Sequence, residues 1–473
     1  MHVHLIGVAG TGMGAFAGLL KSAGHRVTGS DTAFYPPMGD ALKQWGIETM
    51  TGFDPAHLEP KPDLVVVGNV CRKDNPEARA AIDRGMNYRS FPKALGELFL
   101  ATRRSLVIAG THGKTTTSSL TSWLLDAAGM HPSFLVGGIP KNFGESFRLG
   151  TGGTFVVEGD EYDSAFFEKI PKFWSYRPWG AVITSIEHDH VDIYPTMDAY
   201  RDAFRGFVSR MPADGLLVAN AEDPEVVRVC ANAPCRVVYY ARENANGLTV
   251  QPTWTVASIA PSGGRQPFEL YVGGARVGVA MSPLMGEHNV MNATAAIALL
   301  AEGLEIPAQN LIRHLAGFEG VKRRQELRAV ANGIFVYDDF AHHPTAVDVT
   351  LRGMRAHHPQ GRLIALFEPR SATASRKTHQ NAYPGAFDAA DYTLIAPVGR
   401  PEIGTSERLD VDDIVGAMRA RGRNAETVPM GPESLDALIA KVKAYAQPGD
   451  VVAVLSNGAF GGIHAKLIEA LEA

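Results

Sequence analysis

The chain reads as an α/β protein built on parallel sheets and divided among several domains. Three observations predict this. Short apolar runs alternate with amphipathic stretches of helical period along the sequence, the pattern of βαβ units. Two of those runs end in glycine-rich turns that lead straight into a helix, as at the ligand-binding ends of α/β sheets. The 473 residues exceed what one hydrophobic core supports, so two or three domains are expected.

In chain order, residues 2–7 form an apolar strand, a glycine turn follows, and 13–23 form a helix rich in small and apolar residues. Strands at 26–29 and 64–68 continue the pattern, and this block ends near Arg103 and Arg104. The next strand, 106–109, runs into Gly110-Thr111-His112-Gly113-Lys114-Thr115 and a helix over 116–128. Strands at 155–158, 181–185 and 216–219 follow. Between about 235 and 285, short β segments with Gly/Pro turns suggest an antiparallel insertion. A helix over 289–303 comes next, and a last block from about Gly320 carries strands at 334–338, 363–367, 392–396 and 451–456.

Composition narrows the function. A formal net charge of −5 argues against nucleic acid or an anionic membrane as partner. No apolar run reaches transmembrane length, and no basic stretch leads into an apolar signal core. The three cysteines, Cys71, Cys230 and Cys235, make no disulfide framework, so a reducing, cytoplasmic setting is expected.

The loop from Gly110 to Thr115 is the most informative motif. Gly110 and Gly113 lack a Cβ, so the backbone can curl until several N–H groups face one anion. The helix behind it adds the positive end of its dipole, roughly half a charge. Lys114 reaches terminal phosphates and the Thr115 hydroxyl suits a Mg²⁺ position. Only Thr111 and His112 separate the glycines, where the usual phosphate loop has four residues.

Other motifs leave more than one reading open. Gly7-Val8-Ala9-Gly10-Thr11-Gly12-Met13 is spaced for a nucleotide other than NAD, or for a structural turn; Ser30 and Asp31 end the next strand, where a ribose or base would lie. Glu158-Gly159-Asp160-Glu161-Tyr162-Asp163 puts four carboxylates at a strand end, either a Mg²⁺ site or a solvated turn. His188 and His190 stand at zinc-like spacing without further ligands nearby, so a surface role for His188 and a Mg²⁺- or substrate-positioning role for His190 are expected. Asn289 and Asn292 share a helical face that could read a purine edge or merely start the helix. His357 and His358 are expected to be solvated.

Taken together, these stretches resemble the Mur ligase family, ATP-dependent amide-forming enzymes of peptidoglycan metabolism. The resemblance covers essentially the whole chain and rests on 7–13, 110–117, 158–163, 189–194, 288–292, Arg324 and Asp339. It implies three domains: 1–103 for a UDP-sugar (Gly7, Gly10, Thr11, Gly12, Met13, Ser30, Asp31, Asn69), 104–320 for ATP, and 321–473 for the peptide and for closure. It also implies ATP contacts from Gly110 to Thr116, Asn289, Asn292, Arg324 and Asp339, with Lys114, Glu158 and His190 catalytic and Thr115, Glu158 and His190 holding Mg²⁺. Two branches of the family act on UDP-N-acetylmuramic acid; one adds L-alanine, the other a murein tripeptide, L-alanyl-γ-D-glutamyl-meso-diaminopimelate. Three stretches resemble the tripeptide branch: 161–167, 367–371 with Arg370 and Ser371 as peptide contacts, and 456–464. Arg205 stands where some relatives have a carbamylated lysine, which puts a second metal in doubt. A monomer or weak dimer is expected. From another class, a nucleotide-sensing binding protein could keep the loops without catalysis.

Overall fold

The computed structural model describes residues 1–400 and 402–473, arranged on three large sheets. In the first, β1 (His2–Ile6), β2 (Arg26–Asp31), β3 (Glu48–Thr51), β4 (Leu64–Val67) and β5 (Tyr88–Ser90) lie in the order β3-β2-β1-β4-β5. All pairings are parallel. The strand order reverses at β1, so a crevice opens beyond the carboxyl ends of β1 and β4. The Gly7–Gly10 turn sits there.

The central sheet has ten strands. Its members are β6 (Arg104–Ala109), β7 (Ser133–Leu135), β8 (Phe147–Arg148) and β9 (Thr154–Gly159). A separate hairpin, β10 (Asp163–Ala165) and β11 (Glu168–Pro171), follows. Then come β12 (Pro178–Ile183), β13 (Leu216–Asn220), β14 (Arg236–Arg242), β15 (Trp254–Ser258), β16 (Gln266–Val272) and β17 (Ala275–Ser282). The order is β17-β16-β15-β14-β13-β12-β6-β9-β7-β8. β6 therefore lies between β12 and β9, parallel to both, and three strand ends converge where the phosphate loop begins. Within 235–285 the antiparallel part is narrower than expected: β14 pairs in parallel with β13 and β15, and the antiparallel pairings there are β15 with β16 and β16 with β17; β7 and β8 form another at the far edge of the sheet. β15, β16 and β17 extend the sheet in its own plane.

The last sheet holds β18 (Glu326–Ala331), β19 (Ile334–Asp339), β20 (Leu363–Phe367), β21 (Tyr392–Ile395), β22 (Ala425–Thr427) and β23 (Val451–Leu455), ordered β18-β19-β23-β20-β21-β22. Only β18 is antiparallel to its neighbour.

The first and central sheets share one continuous core, running from Phe16, Phe91 and Phe99 into Phe155, Phe173 and Phe204. Gly18 makes room for the Phe147 ring, since a Cβ there would lie 2.2 Å from it. The last sheet is packed by separate cores, one of which also takes in Met285 from before β18. His357 and His358 end the helix Pro344–His357 and are half-buried; the His358 ring meets Phe335 and hydrogen-bonds Tyr337 at 3.0 Å. That differs from the solvated loop expected of them, because the helix carries them back onto β19. Among the described residues no helix is long and apolar enough to cross a membrane.

Candidate active site

The phosphate loop needs its glycines. Gly110 has φ +129° and Gly113 φ +79°. A Cβ on Gly110 would lie 2.1 Å from Thr184 Oγ1, and one on Gly113 2.5 Å from Asn292 Oδ1. Gly113 caps the helix Lys114–Ala127 from the left-handed region with no side-chain cap, so the first helical amides face the cleft unclaimed by any side chain. The helix starts two residues earlier than the sequence suggests. Two loop amides are already committed: Thr111 N–H donates to Ser185 O (2.8 Å) and His112 N–H to Ser185 Oγ (3.1 Å). The Thr111 hydroxyl donates to Glu187 O at 3.0 Å. The loop is thus laced to the segment after β12.

Lys114 Nζ donates to Gly110 O (2.7 Å) and to Glu161 (2.9 Å). Glu161 is buried, receives the Tyr200 hydroxyl at 3.1 Å and faces His190 Nε2 at 3.3 Å. Burial alone would push its carboxyl up; Lys114 and His190 outweigh that and hold it down at about 2. The same contacts raise Lys114 and His190 against their own burial. Beside them, Thr115 Oγ1 donates to Glu158 Oε1 (2.8 Å), Gly137 N–H donates to Glu158 Oε2 (2.7 Å), and Arg324, from beyond the central sheet, donates to Thr115 Oγ1 at 3.1 Å. Burial and the neighbouring Asp160 carboxylate push Glu158 up. A crowded set of carboxylates at one strand end is a place where added positive charge stabilises.

A cleft of about 950 Å³ opens from the loop, lined by His112, Thr115, Asn289, Asn292, Arg324 and Asp339 among others. That volume suits a nucleoside triphosphate. Asn289 donates to Met285 O and Gln325 Oε1, and Asn292 donates to Asn289 Oδ1 at 3.1 Å. Asp339 accepts from the Gln325 and Ala341 amides, both at 2.7 Å, fixing the turn that carries Arg324. Arg324 lies over the Phe340 ring at 4.7 Å.

In the first sheet, Ser30 O accepts from the Gly7 and Val8 amides, and Asp31 accepts from the Ala9 amide at 2.8 Å. Gly10 caps the helix Thr11–Ser22 without side-chain help. Thr11, Gly12 and Asn69 are exposed at the crevice, whereas Met13 is buried. Ser30 is wholly buried and its hydroxyl donates to Glu77, so Asp31 alone of that pair faces outward. Arg370 is half exposed, 3.7 Å from Glu368. It crosses Gly458, where a Cβ would lie 2.1 Å from its side chain. Ser371 Oγ accepts from the Ala374 amide at 2.9 Å, shaping the loop after β20. Arg205 pairs with Asp202 at the surface. His188 bonds Tyr194 O at 2.7 Å.

Sequence reading did not assign Glu161, Glu187, Tyr200 or Gln325. Glu161 stood in the acidic run as one of four equivalent carboxylates; the others carry no local signal, because their partners are distant in the chain.

Three family models match in series: "Mur ligase family, catalytic domain" over residues 2–103, "Mur ligase middle domain" over 108–300, and "Mur ligase, glutamate ligase domain" over 323–458. The UDP-N-acetylmuramate–L-alanyl-γ-D-glutamyl-meso-2,6-diaminoheptandioate ligase of Escherichia coli K12 is 36% identical over 473 residues, 100% of this chain and 98% of the relative. A UDP-N-acetylmuramate–L-alanine ligase of Rhizobium meliloti is 36% identical over 463 residues, 96% of this chain and 94% of the relative. The crystal structure of a murein peptide ligase from Psychrobacter arcticus superposes with a TM-score of 0.72 at 34% identity, covering 100% of this chain and 99% of the other. With its phosphate loop, its convergent carboxylates and relatives matched end to end, the chain belongs to the Mur ligase family of ATP-dependent amide-forming ligases.

Proposed function

We propose that this ligase joins L-alanyl-γ-D-glutamyl-meso-diaminopimelate to UDP-N-acetylmuramic acid with cleavage of ATP, in the cytoplasm, as a step of peptidoglycan recycling. The observation that carries it is the 36% identity to the tripeptide ligase of E. coli over the whole of this chain. The Psychrobacter likeness supports it. An L-alanine-adding ligase is the weaker second reading: the Rhizobium relative matches at the same 36% identity but over 463 residues, 96% of this chain.

In this reading residues 1–103 hold the sugar nucleotide, with Gly7, Gly10, Thr11, Gly12, Met13, Asp31 and Asn69 around the crevice. Residues 104–320 hold ATP, and 321–473 carry Arg370 and Ser371 toward the peptide. The lactyl carboxylate attacks the γ-phosphorus, and the bond to the β-phosphate oxygen breaks to release ADP. Lys114 and the uncapped amides of its helix neutralise the transferring oxygens. The peptide α-amine then attacks the acyl phosphate, loses a proton, and phosphate leaves. Closure of the third unit keeps water from the mixed anhydride. Thr115 Oγ1 and Glu158, 2.8 Å apart, offer hard oxygens that fit Mg²⁺, with His190 on the far side of Glu161. Mg²⁺ held there supplies charge neutralisation at the β- and γ-phosphates. Asn289, Asn292, Arg324 and Asp339 shape the nucleotide's pocket.

The test incubates the enzyme with ATP–Mg²⁺, UDP-N-acetylmuramic acid and either tripeptide or L-alanine, with mass detection of the UDP-linked product. Tripeptide-dependent ADP release and the matching product are expected. An alanine product alone selects the second reading, and no ADP with either amine selects a nucleotide-sensing binding protein.

A further inference from the structure

We propose that His112, Glu187 and His343 form a binding site for a transition-metal dication of the Zn²⁺ class, separate from the hard-oxygen position at Thr115 and Glu158. One ligand atom from each of the three lies within 4.8 Å of the others. His112 Nε2 stands 2.8 Å and His343 Nδ1 3.4 Å from the same oxygen, Glu187 Oε2. Donors bound to zinc at about 2.05 Å in a tetrahedron sit about 3.3 Å apart, so these two separations need little adjustment.

The three residues come from three segments. His112 lies in the phosphate loop, Glu187 follows β12, and His343 caps the helix Pro344–His357 behind β19. The site therefore ties the central sheet to the last one. His343 is buried, and the geometry around it is unfinished. Its Nδ1, 3.4 Å from Glu187 Oε2, accepts the Thr345 amide through a long 3.3 Å bond, and a metal would take that lone pair in the amide's place. Its Nε2 is buried with no hydrogen-bond partner. A dication drawn by the Glu187 carboxylate would compete with one neutral amide for that nitrogen. Two imidazoles and one carboxylate select zinc-like ions over Mg²⁺. A fourth position opens toward the nucleotide cleft, which His112 and Glu187 line. A bound ion would fasten the phosphate loop to the third unit and slow turnover.

The full-length enzyme is titrated with Co²⁺ and then Zn²⁺ under excess Mg²⁺, with no nucleotide added. We expect one equivalent of Co²⁺ with the visible absorption of a four-coordinate site, displaced by Zn²⁺, and a Zn²⁺-dependent rise in melting temperature. His343→Gln and Glu187→Gln should each weaken binding at least about tenfold, the scale of losing even an outer-sphere partner. Glu158→Gln should leave it intact. Two polar variants from different segments guard against misfolding, since each is checked by its metal-free melt. No Co²⁺ band, a band unchanged in His343→Gln, or a band lost only in Glu158→Gln would overturn the proposal. Because binding is read without turnover, its failure is distinct from failure of the ligase assay.

Discussion

Lys114 is held between a backbone carbonyl and a buried carboxylate, and its worth to the chemistry is separable from its worth to the fold. Lys114→Ala should lower kcat by about 10²–10³, the scale for removing one preorganised charge stabiliser. Steady-state rates on a variant with an unchanged melt check this. Arg370 is placed differently: half exposed on the loop after β20, with only a 3.7 Å ion pair to Glu368. Arg370→Ala should raise KM for the tripeptide and leave KM for ATP nearly unchanged; equal shifts in both would make it a structural residue. The placement of Gly110, Lys114 and Glu158 at strand ends and a helix start was legible because strand, turn and helix follow one another in the chain. The partnership of Lys114 with Glu161, or of His112 with Glu187 and His343, was not, since each pair is made by the fold and leaves no spacing to read.

At the scale of elements, the buried apolar strands declared themselves, and the short polar ones did not. β3 (Glu-Thr-Met-Thr) and β5 (Tyr-Arg-Ser) sit at sheet edges, largely outside the core, so neither alternation nor an apolar run marks them. The 235–285 stretch misled for a related reason: Gly/Pro turns flag hairpins but cannot say which strand pairs in parallel with β13. Strand starts also need tethers. Asp450, just before β23, accepts from Arg362 N, Nε and Nη2 and from Gln447 N at 2.5–3.2 Å, joining β20 to β23. Burial would raise its carboxyl, but Arg362 holds it below its ordinary value of 3.8. The folded pKa is depressed, so the stabilisation is present above 3.8 and lost as pH falls through the folded value. Asp450→Asn should cost about 1.5–3 kcal/mol at neutral pH, the range for hydrogen bonds to a charged group. Paired melts of the two proteins should converge as the solution is acidified.

For the whole molecule, Gly18 is where the first sheet's helix meets the central sheet through Phe147, with Trp45 edge-on to the same ring at 5.0 Å. Gly18→Val puts a branched side chain where even a Cβ would lie 2.2 Å from the ring. Overpacking of this kind costs typically about 1–3 kcal/mol. The expected outcome is a lower melting temperature and a raised KM for the sugar nucleotide, with ATP affinity by calorimetry little changed. The core that the first two sheets share, and the separate ones under the third, divide the labour of movement. In the proposed reaction, a sugar acid lodged at the first sheet and a phosphoryl donor lodged at the second would ride on that shared core, their spacing set when the chain folds. On that reading the incoming nucleophile would be the sole traveller, and the stroke that delivers it would be free to be large without disturbing the alignment of the bond already being made.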